Sequence, residues 1–311
     1  MWETKVFCGN FISKTTASAT PIPPEVSRLR RLKYLVSSKN SLGGEIPSNL
    51  SGSSQLLGID LGYNLLAGSI SEELGTLSKL RVIAIQRTTL QELFWYGSSL
   101  DLQSLFFERL LNENGELSIL CNLTNATRLQ ILEIYKNNFG GTLPQCTANF
   151  SSSLVWLAAH GNAISGSIPN GIGNLVSLES PWLSKYKLSG HIPLEIGKLP
   201  KLYQLVLEKN SLSGNIPSLF ANLSRLTNLY LDYNNLEGNI PSSLAECHNL
   251  VILSLGANNL SGIISPEFIL SSSSYAVLYL SQNHVTGFFP KEVGTSINLE
   301  HLDVSDNMFL R

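Results

Sequence analysis

Residues 202–217, LYQLVLEKNSLSGNIP, decide the fold. Leu202, Leu205 and Leu207 fall in the order Leu-x-x-Leu-x-Leu, followed by Asn210, Leu212, Gly214 and the pair Ile216-Pro217. The same residue types return, 24 positions on, in 226–241, LTNLYLDYNNLEGNIP. Leu-x-Leu alternation is that of a short strand with its leucines on one face. About ten residues of strand and turn have no second layer of their own to cover that face. Copies stacked side by side share one continuous core, so the pattern predicts a solenoid.

The asparagine that ends each strand marks the register. It stands at Asn40, Asn64, Asn137, Asn162, Asn210, Asn234, Asn258, Asn283 and Asn307. Thr88, Leu110 and Tyr186 fill the same slot in three units, which makes about twelve in all. The slot asparagine is expected to turn the chain and to spend its amide on backbone groups of the adjoining loop. Gly214 and its equivalents permit a tight bend, and Pro217 and its equivalents stiffen the exit. Residues 1–20 match no repeat and are expected to be irregular; residues 21–311 form the repeat domain. Within it the pattern is degenerate over about 88–125, where Thr88, Glu92, Trp95 and Leu110 break it. Pro181 replaces a strand leucine and removes one ladder donor, so distortion is expected there. The sequence stops in mid-repeat at Arg311, which predicts an exposed apolar end.

Composition narrows the function. With 21 basic and 23 acidic residues the net charge is -2, and no clustered Lys/Arg footprint of a nucleic-acid binder is present. No apolar run reaches the ~18 residues of a membrane span. The first residues, MWETKVFCGNFISK, lack the apolar core of a signal peptide. Cys8, Cys121, Cys146 and Cys247 form no CxxC pair and are too few for a disulfide framework. Cys247 reads as a buried free thiol. Cys121 and Cys146 sit one repeat apart, which leaves a bridge between them open.

No catalytic constellation is found. His160, His191, His248, His284 and His301 fall in different units without ligand spacing. Asp60, Asp232 and Asp303 face the concave side in units two, nine and twelve, beyond the roughly 5–9.5 Å of a working carboxylate pair. No enzyme, cofactor or metal is indicated.

The full repeat, LxxLxLxxNxLxGxIPxxLxxLxx, with runs such as CNLTNATRLQILEIYKNNFGGTLP and SGSIPNGIGNLVSLES, resembles the plant-specific leucine-rich repeat. These runs are similar to ectodomains of plant leucine-rich-repeat receptor-like kinases of the immune-receptor group, of which this sequence reads as a fragment. The resemblance implies an α/β-type leucine-rich-repeat solenoid, a right-handed superhelix with a parallel concave β-sheet and short helical or 3-10 convex segments. It implies a peptide or microbial protein ligand on the inner surface, a co-receptor kinase as partner, and a parent receptor at the extracellular face of the plasma membrane. The leader, paired-cysteine caps, membrane helix and Ser/Thr kinase of such receptors are not found here, nor is a Gly-rich phosphate loop, HRD or DFG. No nucleic-acid partner and no membrane insertion by this chain itself are expected.

Register then picks out the recognition surface. Outward positions of the middle strands carry Tyr135, Lys136, Trp156, His160, Trp182, Lys185, Glu208, Lys209, Tyr230, Asp232 and Tyr233. In unit eight, Gln204 and Val206 also point outward. Exposed aromatics with interleaved charge suit protein recognition; the bland alternative is that they pack on one another across strands. Glycosylation sequons occur at Asn49, Asn122, Asn125, Asn149, Asn222 and Asn259, the last expected to be enclosed. Two competing readings stand beside the receptor: a secreted inhibitor similar to polygalacturonase-inhibiting proteins, and a degenerate receptor fragment without activity.

Overall fold

The computed structural model of the protein describes residues 19–93, 101–108, 117–270 and 275–310. Among them, twelve three-residue strands from Tyr34–Val36 to His301–Asp303 form one sheet in chain order, every adjacent pair parallel. The leucines point inward as the alternation requires: Leu202, Leu205, Leu207 and Leu212 are all 0–1% exposed. Burying such a side chain stabilises by about 1.5–3 kcal/mol, and stacking the units makes that burial possible.

From sequence, the Leu-x-Gly step reads as a tight bend. In the structure it is a second strand. Four of these pair from Thr20–Pro21 to Thr89–Leu93, and eight more from Gly140–Thr142 to Met308–Phe309. Gly238 shows why glycine is needed there. Its φ is +75°, and a Cβ would run into Oδ1 of Asn215 in the preceding unit. Thr20, inside the segment expected to be irregular, pairs with Leu42; residues 1–18 lie outside the described residues. The convex side is made of short 3-10 turns such as Ser218–Asn222. Pro217 precedes that turn at φ -60° and accepts the Phe220 N–H at 3.2 Å. In the unit that carries one extra residue before Asn283, this turn is the α-helix Pro266–Leu270.

The slot asparagine does more than close its own loop. The Asn234 amide donates to the carbonyls of Leu231 (3.0 Å) and Asp232 (3.3 Å) in its own unit. It also donates to Leu207 (3.0 Å) and accepts from the Leu212 N–H (3.0 Å), both in the preceding unit. The same set recurs at Asn258 and Asn283. Each of these asparagines therefore staples two repeats together. Among the described residues, the one before the slot is left-handed throughout, as at Lys136 (φ 53°), Lys185 (61°), Lys209 (56°) and Tyr233 (55°). Nothing in the sequence marks this, because a non-glycine residue there carries strain of about 1–2 kcal/mol that the stapled turn imposes.

The irregular units keep their places. Val82–Ala84, Ser104–Phe106 and Ile131–Glu133 pair in register. Thr88 is buried in the slot and its hydroxyl donates to the Ile85 carbonyl at 3.2 Å. The strand after it, Thr89–Leu93, slips by one residue against Gly68/Ser69. Trp95 and Leu110 lie outside the described residues. A Cys121–Cys146 disulfide, left open from sequence, joins the convex turns of two consecutive units with Cα atoms 5.3 Å apart. Cys247 is free and buried, its thiol pushed up to about 11 by burial and then by Glu246. Pro181 stays in a strand, paired in full with Trp156–Ala158 on one side. On the other side the pairing shrinks to Trp182 against Val206, the effect of the missing N–H. In the last unit Leu302, Met308 and Leu310 are 39–60% exposed, whereas Leu278 in the unit before is at 1%.

Candidate recognition surface

Two groups of side chains stand on the concave sheet. The first centres on units four to seven. Tyr135 and His160 stack at 4.8 Å with 7° between planes, and His160 leans on Trp182 at 5.6 Å. Trp182 also packs on Trp156 at 5.7 Å and donates its indole N–H to the Ser180 hydroxyl at 3.0 Å. The Tyr135 hydroxyl donates to Glu108 at 3.2 Å, and Arg87 pairs with the other oxygen of that buried carboxylate at 3.6 Å. Lys136 stands over the Tyr135 ring at 5.6 Å. The rings expected from register to face a ligand thus face one another first, and Lys185 lies exposed beside them.

This crowding sets the electrostatics. Burial, then Glu108 and Glu133, pushes the Tyr135 hydroxyl up to about 12. His160 is held below its ordinary value, first by burial and then by Lys136 and Lys185, with Glu108 opposing. Glu133 is raised by burial and by Glu108. The Trp156 indole lowers it again, yet its buried N–H lies near that carboxylate without hydrogen-bond geometry. Glu108 and Glu133 escaped the sequence reading. Glu108 occupies the column that holds Tyr135 and His160, two residues before the slot, but Leu110 in the slot hides the register of its unit.

The second group lies on units eight to twelve. Glu208, Tyr230, Asp232 and Tyr233 line a cavity of about 360 Å³ together with Ser254, Tyr279 and Asp303. Here the rings do not touch. Ser254 pairs with Tyr230 on one side and with Tyr279 on the other, so a small buried residue separates two large ones. Burial, then Glu208 and Asp232, raises the Tyr230 hydroxyl. Lys209 stands over the outer Tyr233 ring at 5.4 Å. Hydrogen bonds from the Ser305 hydroxyl (2.6 Å) and N–H (3.0 Å) lower the Asp303 carboxyl. Val206, expected to face outward with Gln204, is buried at 7%, because Trp182 and Tyr230 flank it in register and cover it.

The sequons lie away from these groups. Asn49, Asn149 and Asn222 are exposed on convex turns, as is Asn125, while Asn122 is half-buried. Asn259, expected to be enclosed, is exposed on the strand Asn259–Ile263, since it follows the stapling asparagine and points out of the second sheet. Among the described residues no helix is long and apolar enough to cross a membrane.

A leucine-rich-repeat family model matches residues 200–260, around the stretch that sets the register. The structure superposes on the Arabidopsis receptor kinase HAESA, solved with the peptide hormone IDA and the co-receptor SERK1. The TM-score is 0.72 at 29% identity, over 94% of this chain and 56% of that one. The fold is that of a plant leucine-rich-repeat receptor ectodomain. In sequence, the chain is 40% identical over 91 residues to the rice receptor kinase-like protein Xa21, covering 28% of this chain and 9% of the relative. It is 35% identical over 161 residues to Receptor-like protein 39 of Arabidopsis thaliana, covering 51% and 18%. The match therefore spans less than a fifth of either curated relative. What is shared is the repeat domain.

Proposed function

We propose that this chain is the ligand-recognition module of a plant leucine-rich-repeat receptor, acting at the extracellular face of the plasma membrane in defence or developmental signalling. The observation that carries this reading is the division of labour along each repeat. Leucines, slot asparagines and turn glycines are consumed by the scaffold, while the concave columns carry aromatic and charged side chains without repeat-to-repeat constraint. A rigid face of that composition suits an extended peptide, whose side chains meet one unit after another. HAESA, which has the same fold, is solved with a peptide hormone and a co-receptor kinase. A peptide or microbial protein ligand and a co-receptor kinase are the partners the reading entails. The exposed sequons belong to it as glycosylation sites, since they lie on turns and on the second sheet and leave the concave face clear.

The test is a displayed peptide library panned against the whole chain. Enriched peptides are expected to lose binding to a Trp182→Ala/Tyr230→Ala variant that keeps its circular dichroism. Retained affinity in that variant removes the concave face from the reading.

A further inference from the structure

The cavity on units eight to twelve points to one chemical class of ligand group. We propose that it is a subsite for the guanidinium of an arginine side chain. The inference rests on reading the concave face as the recognition surface, and adds what this part of it recognises.

Three observations carry it. The first is shape. Tyr230 and Tyr279 stand in the same column two strands apart, with Ser254 between them in register. Strands stacked about 4.8 Å apart put the two rings roughly 10 Å apart, with room for one flat group within about 6 Å of each ring. Gly256, in the neighbouring column of the same unit, adds no side chain to the floor.

The second is charge. Glu208, Asp232 and Asp303 line the cavity, and none of its lining residues is basic. Lys209, over the Tyr233 ring at 5.4 Å, is not among them.

The third is an unmet acceptor. Asp232 Oδ1 has no hydrogen-bond partner and lies just beneath the surface of the cavity, so a donor there reaches it once the carboxylate turns outward. A buried carboxylate oxygen is ordinarily paired, and a charged donor satisfies it best. A guanidinium brings planar stacking surface, a delocalised charge and several N–H donors in one group, and it loses less hydration than an ammonium on entering such a site. The remaining acids are spread over neighbouring units, so the basic side chain sits among negative charge whichever way the peptide runs.

The probe is Nα-acetyl-arginine amide, titrated into the whole chain by saturation-transfer NMR and tyrosine fluorescence, with the citrulline and lysine amides as controls. Saturable binding of the arginine amide at about 1 mM is expected, the scale of one small group. The citrulline amide, which keeps the shape and loses the charge, is expected to bind at least about tenfold more weakly. Asp232→Asn is expected to lose a similar factor. Its loss is read on folded protein, because Oδ1 makes no bond that the substitution breaks. Tyr279→Ala, whose ring is 37% exposed, serves as the second variant and is expected to weaken binding. Glu237→Gln, an exposed acid of unit nine on the second sheet, is expected to bind as the parent does. No saturable binding at millimolar concentration overturns the subsite, and so does equal binding of citrulline or lysine, or an unchanged affinity in Asp232→Asn. A chain that captures library peptides through Trp182 and Tyr230 but fails these titrations keeps its recognition role and loses this subsite.

Discussion

The two halves of the concave face carry similar residues and use them differently. In units four to seven, large rings occupy adjacent strands and meet: Tyr135 on His160, His160 on Trp182, Trp182 on Trp156. In units nine to eleven, Ser254 and Gly256 interrupt the column, and Tyr230 and Tyr279 are left apart with a cavity between them. On a sheet of parallel strands the composition of one unit does not decide whether an aromatic is available. The size of its neighbour in the next unit does.

The halves also differ in what holds them. The central part contains the irregular units and carries the Cys121–Cys146 cross-link. Breaking it with Cys146→Ser is expected to give the largest effect, a loss of about 3–4 kcal/mol for a loop of this length, read by urea denaturation. An unchanged midpoint would mean that the irregular units stand on repeat contacts alone. The C-terminal part is held by asparagine staples. Asn234→Ala takes one of two amide donors from each of the Leu207 and Leu231 carbonyls, which keep Asn210 and Asn258, and leaves the buried Leu212 N–H unpaired; it is expected to lose about 2–3 kcal/mol. Asn40→Ala, in an exposed first unit where, among the described residues, the amide donates to Ser37 and Ser38, is expected to lose less than about 1 kcal/mol.

A smaller pair of variants tests the contrast directly. Trp182→Ala removes contacts to two rings and is expected to lose about 2 kcal/mol in thermal or urea unfolding. Tyr230→Ala, with no ring against it among the described contacts, is expected to lose about 1 kcal/mol or less. Equal losses would erase the distinction between a packed patch and an open one.

The smallest effect is electrostatic. His160 is held below its ordinary 6.5, so the folded protein binds fewer protons than the unfolded chain just below that pH. Its part of the stability is intact at pH 7 and is lost as pH falls through and below 6.5. Glu133 is raised above 4.5 and acts oppositely, favouring the fold as pH falls toward that value. His160→Gln is therefore expected to gain stability relative to the parent between pH 7 and 5. A difference that does not change with pH would place His160 in a solvated setting.

Much of the scaffold was legible from residue types alone. Leu202, Leu205 and Leu207 had to face inward, and Asn210 and Pro217 had to turn the chain, whereas Gly214, read as a bend, closes a strand. The candidate site was legible in part. Tyr230, Asp232, Glu208 and the concave placing of Asp303 followed from register, but Ser254, Gly256 and Tyr279 did not, because small or unremarkable residues acquire meaning only beside larger ones. Glu108 was hidden by Leu110, and Val206 looked exposed until its flanking rings covered it.

The sequence by itself determined the repeat, its register and the buried column, because a period of about 24 residues fixes which side chains share a core. Tertiary structure alone decided the second set of strands, the left-handed residue before each slot, the sharing of each asparagine between two units, and which concave aromatics remain free. Those features depend on contacts between residues a full repeat apart, where backbone groups of one unit complete the next and a side chain's exposure is set by its lateral neighbour.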